Sequence, residues 1–293
     1  MPEEGASSCA TPGRNPWRTM IGDCFRDFPG FCREAPLSLG HYPSTVYLVA
    51  IAALTGPLDS AVAPLAAALE TTVYELRLLL NAGFPAVVLA TVDPDLARAA
   101  AGAVKRAGHR VVTLDRADMT ANREMTALSA FRFDSSELIA SDGAARLPYE
   151  DIGALLRATH RSATETTEVV KGRELRPIAA IATGGLVISK KTTREVTTRT
   201  EHREQVSYLF RRSGAPAWIL RERGTDYRGL GTVLQPTSLA NFQSTIQEIR
   251  KRAPDAAYDE RLMNARPIRG VADGPLATDM LAHLVAKDLL GTG

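Results

Sequence analysis

VDPDLARAAAGAVKRAGHRVVTLD, residues 92–115, decides the architecture of the first half of this chain. Asp93 is placed to cap a helix, Pro94 suits the first helical position, and Asp95 complements the positive helix start. Leu96, Ala100, Ala103 and Ala107 recur at helical spacing and predict the inward face. Lys105 and Arg106 fall in the last turn, and Gly108 closes it. HRVVTLD then reads as a β-strand, and so alanine-rich a helix face predicts close approach to the sheet beneath it.

Working outward, VYLVAIAAL (46–54) is apolar and β-branched enough to be a buried strand. TGPLDSAVAPLAAALE predicts a helical stretch broken or begun at Pro64, where the ring removes a donor. TTVYELRLLLNAGF predicts a second helix, with Val73, Leu76, Leu79 and Leu80 on its inner side and a stop at Asn81-Ala82-Gly83. FPAVVLATVD supplies another strand. The expected unit is therefore a small βααβαβ sandwich spanning 46–120, with three strands and helices on one face. The run FPAVVLATVDPDLARAAAGAVKRAGHRVVTLD, preceded by a helix ending in Gly, resembles the C-terminal domain of the ribosomal stalk protein, a fold shared with the Clp protease adaptor. That resemblance implies a protein-binding module without catalytic residues. The lysine-rich helix face of the stalk protein is replaced here by Glu75, Arg77 and Arg98 among apolar positions, so no specific partner is implied.

The second half changes rhythm. Between Ala127 and Ser162, short alternating runs are separated by Ser135-Ser136, Asp142-Gly143 and Pro148, as in β-hairpins. PIAAIATGGLVISKK, the tract around Val206, Tyr208 and Phe210, and APAWILRERG continue the strand pattern. PTSLANFQSTIQEIRKRAP is an amphipathic helix with Leu239, Phe242, Ile246 and Ile249 on one face, capped by Thr237 or Ser238. Several antiparallel strands followed by a closing helix resemble a pleckstrin-homology-like barrel. VADGPLATDMLAHLVAKDLL predicts a last helix, with Leu276, Met280 and Leu284 on one side, that packs back or serves for docking. The expected fold class is α+β, with a β-rich domain over 121–270 and a terminal helix over 271–293.

The whole chain sets the bounds. Its 293 residues, 45% hydrophobic and 23% charged, have the composition of a soluble globular protein with room for two domains. Net charge is +2, yet residues 1–150 carry 13 basic and 17 acidic groups while 151–270 carry 21 and 13. Cys9, Cys24 and Cys32 lack metal-ligand spacing and suggest a reducing, cytoplasmic setting. They lie in residues 1–45, a proline-rich stretch without periodicity that reads as a disordered extension or as read-through upstream of a start near Val46.

Candidate chemistry is sparse. His41, His109, His160, His202 and His283 are scattered, without the spacing of a metal site, and His109 reads as a partly exposed structural residue. No nucleophile elbow or phosphate-loop pattern occurs; ATGGL (182–186) and YRGLGT (227–232) read as hairpin turns. Glu201 and Glu204 beside His202 fit a solvated strand face. Tyr258-Asp259-Glu260 reads as a lock or a docking segment. Lys190, Lys191, Arg211, Arg212, Arg250, Lys251 and Arg252 lie at element ends and would bind a polyanion if they converged. These features favour a non-catalytic protein-binding or adaptor role without cofactor, the rivals being an RNA or phospholipid-headgroup binder and an enzyme with its site at the domain junction.

Overall fold

The computed structural model describes residues 46–293 except Ala121, Ser141, Asp142, Ala144, residues 176–188, Pro267, Arg269, Gly270, Asp273 and residues 292–293; the side chains of Asn122 and residues 163–199 are also outside the description. The predicted leader and the ATGGL turn thus lie outside the described residues. The architecture is mixed α+β. The chain divides into two units: one ends at Met119 and takes in Ile268–Ala272 and His283–Gly293, and the other comprises Thr120–Pro267 and Asp273–Ala282.

In the first unit the order is β1 (Tyr47–Ala53), α1 (Leu58–Ala68), α2 (Val73–Asn81), β2 (Ala86–Thr91), α3 (Pro94–Arg106) and β3 (Arg110–Asp115). The sheet runs β2-β1-β3 with both pairings antiparallel, Val49 opposite Leu89 and Leu48 opposite Leu114. Asp93 caps α3 by accepting from the Asp95 and Leu96 amides at 2.8 and 3.3 Å. The buried stripe of α3 comprises Ala97, Ala100, Ala101, Ala103 and Val104, so Ala100 and Ala103 face inward as predicted, while Leu96 and Ala107 are only half-buried. Small side chains on this stripe join Val49, Ile51, Val62, Leu65, Leu76 and Leu80 in a single core.

Pro64 neither breaks nor begins a helix: α1 runs through it. Its ring faces solvent while Val62 and Leu65 on either side are buried, so their burial holds the helix together where a backbone bond is missing. An interior proline costs about 3 kcal/mol, and about 1 kcal/mol returns through restriction of the unfolded chain. Pro64→Ala is therefore expected to stabilise the first unit by about 1–3 kcal/mol in urea unfolding. An unchanged or lower midpoint would show that the helix carries no such strain.

In the second unit β5 (Phe131–Phe133), β6 (Glu137–Ala140) and β7 (Arg146–Pro148) form an antiparallel three-stranded sheet. A five-stranded sheet is ordered β11-β8-β9-β10-β4, from β4 (Thr126–Ala127), β8 (Ile152–Leu175), β9 (Ser189–Arg211), β10 (Trp218–Arg221) and β11 (Ala257–Leu262). No closed barrel forms among the described residues, which corrects that expectation: β11 and β4 are its two edges, and both pair parallel to their neighbours. Tyr258-Asp259-Glu260 is thus part of an edge strand.

α4 (Ser238–Arg252) is capped by Thr237, whose hydroxyl accepts from the Ala240 amide at 3.2 Å. Phe242, Ile246 and Ile249 are buried against Trp218, Leu220 and Tyr227, each burial stabilising by about 1.5–3 kcal/mol; Leu239, predicted on that face, is exposed at the helix start. YRGLGT is a 3-10 turn and not a hairpin turn. A Cβ at Gly229 would sit 1.9 Å from the Phe131 carbonyl oxygen, so this turn presses against β5 where only glycine fits. α5 (Gly274–Leu290) is buried around much of its circumference, from Ala277 through Ala282 and again at Leu284–Ala286. That burial overturns its reading as a free docking element.

Candidate functional site

Surface chemistry concentrates on α2. Thr72 and Glu75 make a capping box: the Thr72 hydroxyl accepts from the Glu75 amide at 3.1 Å while the Glu75 carboxylate reaches back to the Thr72 amide. The hydrogen bond from the Thr72 hydroxyl holds Glu75 below the usual carboxylate range. Arg77 pairs with Asp59 of α1 at 2.7 Å. Leu76 and Leu80 fill the core, one helical stripe only. Val73 and Leu79, predicted inward, are 45% and 42% exposed, and beside them Tyr74 and Leu78 are 72% and 54% exposed. Tyr74 and Leu78 are one turn apart and share a face. A nine-residue helix anchored by two leucines is thus apolar on much of its solvent side.

The second unit holds a buried polar centre. His160 of β8, Tyr208 of β9 and Asp279 of α5 are each almost wholly enclosed. The Tyr208 hydroxyl donates to Asp279 Oδ1 at 2.6 Å, and His160 Nε2 lies 2.6 Å from the Tyr208 oxygen. The tyrosine proton is committed to the carboxylate, so the hydroxyl accepts from His160 Nε2–H. His160 Nδ1 is buried and has no hydrogen-bond partner among the described residues. Burial first, and then the Asp279 charge, push the Tyr208 hydroxyl well above its ordinary range. Three elements are joined by two short bonds. The arrangement positions α5 against the sheet, and none of the three groups lines either of the two surface concavities described next.

The first concavity, about 270 Å³, is lined by Arg157, Gln243, Ile246, Gln247, Arg250, Tyr258 and Glu260. Arg157 donates to Glu260 and to Gln205, each at 2.7 Å, and the Arg250 guanidinium lies over the Tyr258 ring at 3.9 Å. Burial opposes the Arg157 charge, but bonds to Tyr258 and Glu260 outweigh it and raise its basicity. Burial pushes Tyr258 up, and the Tyr258 hydrogen bond holds Glu260 down. The second, about 440 Å³, is lined by Tyr149, Glu150, Arg212, Arg252, Ala253, Pro254 and Asp255.

Three of the seven predicted basic residues line these concavities, and of the others Arg211 and Lys251 line neither. Arg250 belongs to the first concavity, and Arg212 and Arg252 belong to the second. Arg211 pairs with Asp151 at 2.6 Å, Arg212 donates to the Asp255 carbonyl, and Lys251 and Arg252 both pair with Glu248. Lys190 and Lys191 stand in β9 opposite Glu174 and Arg173. His109 is buried, not partly exposed, and its Nδ1 accepts from the Thr55 amide at 3.1 Å. Glu201 and Glu204 pair with Arg203 and Arg221, the second across neighbouring strands. Among the described residues no cluster of three His, Cys, Asp or Glu side chains is placed to hold a metal. None of their helices is long and apolar enough to cross a membrane. No family model matches this chain, and neither a curated protein nor a solved structure does.

Proposed function

We propose that this chain is a non-catalytic binding protein of the cytoplasm whose α2 receives an apolar segment of a protein partner. The observation that carries the reading is the exposure of Val73, Tyr74, Leu78 and Leu79 on one short helix, four of the eight large exposed hydrophobics among the described residues. Single exposed leucines are ordinary, but a group on one element marks an interaction surface. An amphipathic helix is the natural complement, laying its own apolar face along Tyr74 and Leu78. The capping box and the Arg77–Asp59 pair hold α2 in place without using those side chains. The buried His160–Tyr208–Asp279 centre supports the same reading, because its bonds are spent on packing.

A Tyr74→Ser/Leu78→Ser variant keeps the Leu76 and Leu80 anchors and is expected to unfold at the same temperature as the parent chain. Quantitative pull-down from lysate is expected to show at least a tenfold loss of the retained partner, since each anchor is worth about 1–2 kcal/mol at an interface. Equal retention by both proteins would remove α2 as the binding surface. Concentration-dependent self-association abolished by the same substitutions would replace the separate partner by a second copy.

A further inference from the structure

Fourteen successive rungs of β8 and β9, from Ser162 opposite His202 to Leu175 opposite Ser189, have no third strand beside them among the described residues. An isolated two-stranded ribbon is marginal in water. Its charge is strongly polarised along its length. The last six rungs, 170–175 with 189–194, hold Lys171, Arg173, Lys190, Lys191 and Arg194 against Glu174, a net of +4. The seven rungs before them, 163–169 with 195–201, hold Glu165, Glu168, Glu195 and Glu201 against Arg199, a net of −3. Arg173 stands directly opposite Lys191, and like charges at one rung destabilise a strand pair.

We propose that the last six rungs of the β8–β9 ribbon dock on an anionic lipid surface. This goes beyond the protein-binding reading and is independent of α2. The polarity of the ribbon selects the ligand. A nucleic acid admits a two-stranded ribbon lengthwise in its major groove, and fourteen rungs span roughly 45 Å. Phosphates along that length would meet the acidic segment. A flat surface meets the basic end alone. The sequence joining the two strands, RPIAAIATGGLVI (176–188), carries Arg176 and no acidic residue, so the basic group is not diluted there. The inner leaflet of a cell membrane offers the matching negative potential, worth about fivefold in partitioning per basic residue.

The test is co-sedimentation of the full chain with phosphatidylcholine vesicles, with and without about one-third phosphatidylserine. Binding is expected on the anionic vesicles only, falling at least tenfold as salt rises from about 50 to about 300 mM. The variant Lys171→Gln/Arg173→Gln/Lys191→Gln, whose three positions share one face of the ribbon, is expected to bind about a hundredfold more weakly, and Lys171→Arg/Lys191→Arg to bind like the parent. Should the triple variant unfold differently from the parent, Lys191→Gln alone carries the test with a loss of about fivefold. Equal binding to neutral and anionic vesicles, or unaltered binding by the triple variant, overturns the proposal. Tighter binding to duplex DNA than to anionic vesicles overturns it too, and assigns the ribbon to nucleic acid.

Discussion

Tyr208→Phe is expected to lower the stability of the second unit by about 2–4 kcal/mol, although the substitution removes one oxygen atom. The cavity it leaves is negligible, so the loss comes from electrostatics. Asp279 forfeits its 2.6 Å hydroxyl donor and His160 Nε2 forfeits its acceptor, both in surroundings closed to water. A hydrogen bond to a charged group contributes about 1.5–3 kcal/mol, and a buried donor left unmade adds a desolvation cost of similar size. For a unit of this size each kcal/mol shifts the melting temperature by about 2–4 °C, so a fall of roughly 5–15 °C is expected. Asp279→Asn tests the same bond from the other end. Because Tyr208 and Asp279 touch, the double variant should lose clearly less than the two single losses combined, with a coupling of about 1–3 kcal/mol. Strict additivity in that cycle would mean that the bond holds nothing together.

How far this centre was legible in the sequence follows from distances along the chain. His160, Tyr208 and Asp279 are separated by 48 and 71 residues, and no local periodicity links them. One signal was present: Asp279 is a lone acid inside PLATDMLAHLVA, and a charge on so apolar a helix implies a buried partner. Local chemistry read well wherever a rule acts over a few residues. Asp93-Pro94, Thr237 and the strand of residues 46–54 need only their neighbours, and they stand where the pattern puts them. Periodicity failed where an apolar residue has a reason to stay outside. Val73 and Leu79 satisfy the helical template as well as Leu76 and Leu80 do, yet a nine-residue helix lies on its sheet along a single stripe. The α2 surface could therefore be counted in the sequence but not assigned to a side. Thr72-x-x-Glu75, by contrast, was a readable capping box. Length also escaped local reading: the Thr-rich tract of β8 and β9 alternates like any hairpin, and only the register shows twenty-odd residues paired without interruption.

Raising the pH above 10 is expected to unfold the second unit steeply, in one transition, because three of its tyrosines must keep their protons to stay inside. Burial raises all three, Tyr149 to about 12 and Tyr208 and Tyr227 well above the ordinary tyrosine range. Tyr149 donates to the Asp134 carbonyl and Tyr227 to the Arg221 carbonyl, bonds that ionised hydroxyls could not make. In the unfolded chain a tyrosine ionises near 10. Above that pH the unfolded state releases protons that the native state retains, so equilibrium moves toward unfolding. The contribution is complete below about 10 and is lost as pH rises, with Tyr149 following through about 12. Each retained proton is worth about 1.4 kcal/mol per pH unit, and three give a slope of about 4 kcal/mol per unit. Against a domain stability of about 5–15 kcal/mol, that slope exhausts the fold within two or three pH units. Trp218 lies in the same core as Tyr149 and Tyr227 and reports the event by fluorescence once Trp17, the other tryptophan, is replaced by Phe. Tyrosinate absorbance and the Trp218 signal are expected to change together. In Tyr208→Phe the slope should fall by one third while the starting stability is already reduced, so its transition begins earlier and rises less steeply. Gradual ionisation near pH 10 with Trp218 still in its native environment would show that these hydroxyls reach water without unfolding, and that the core around them is not closed.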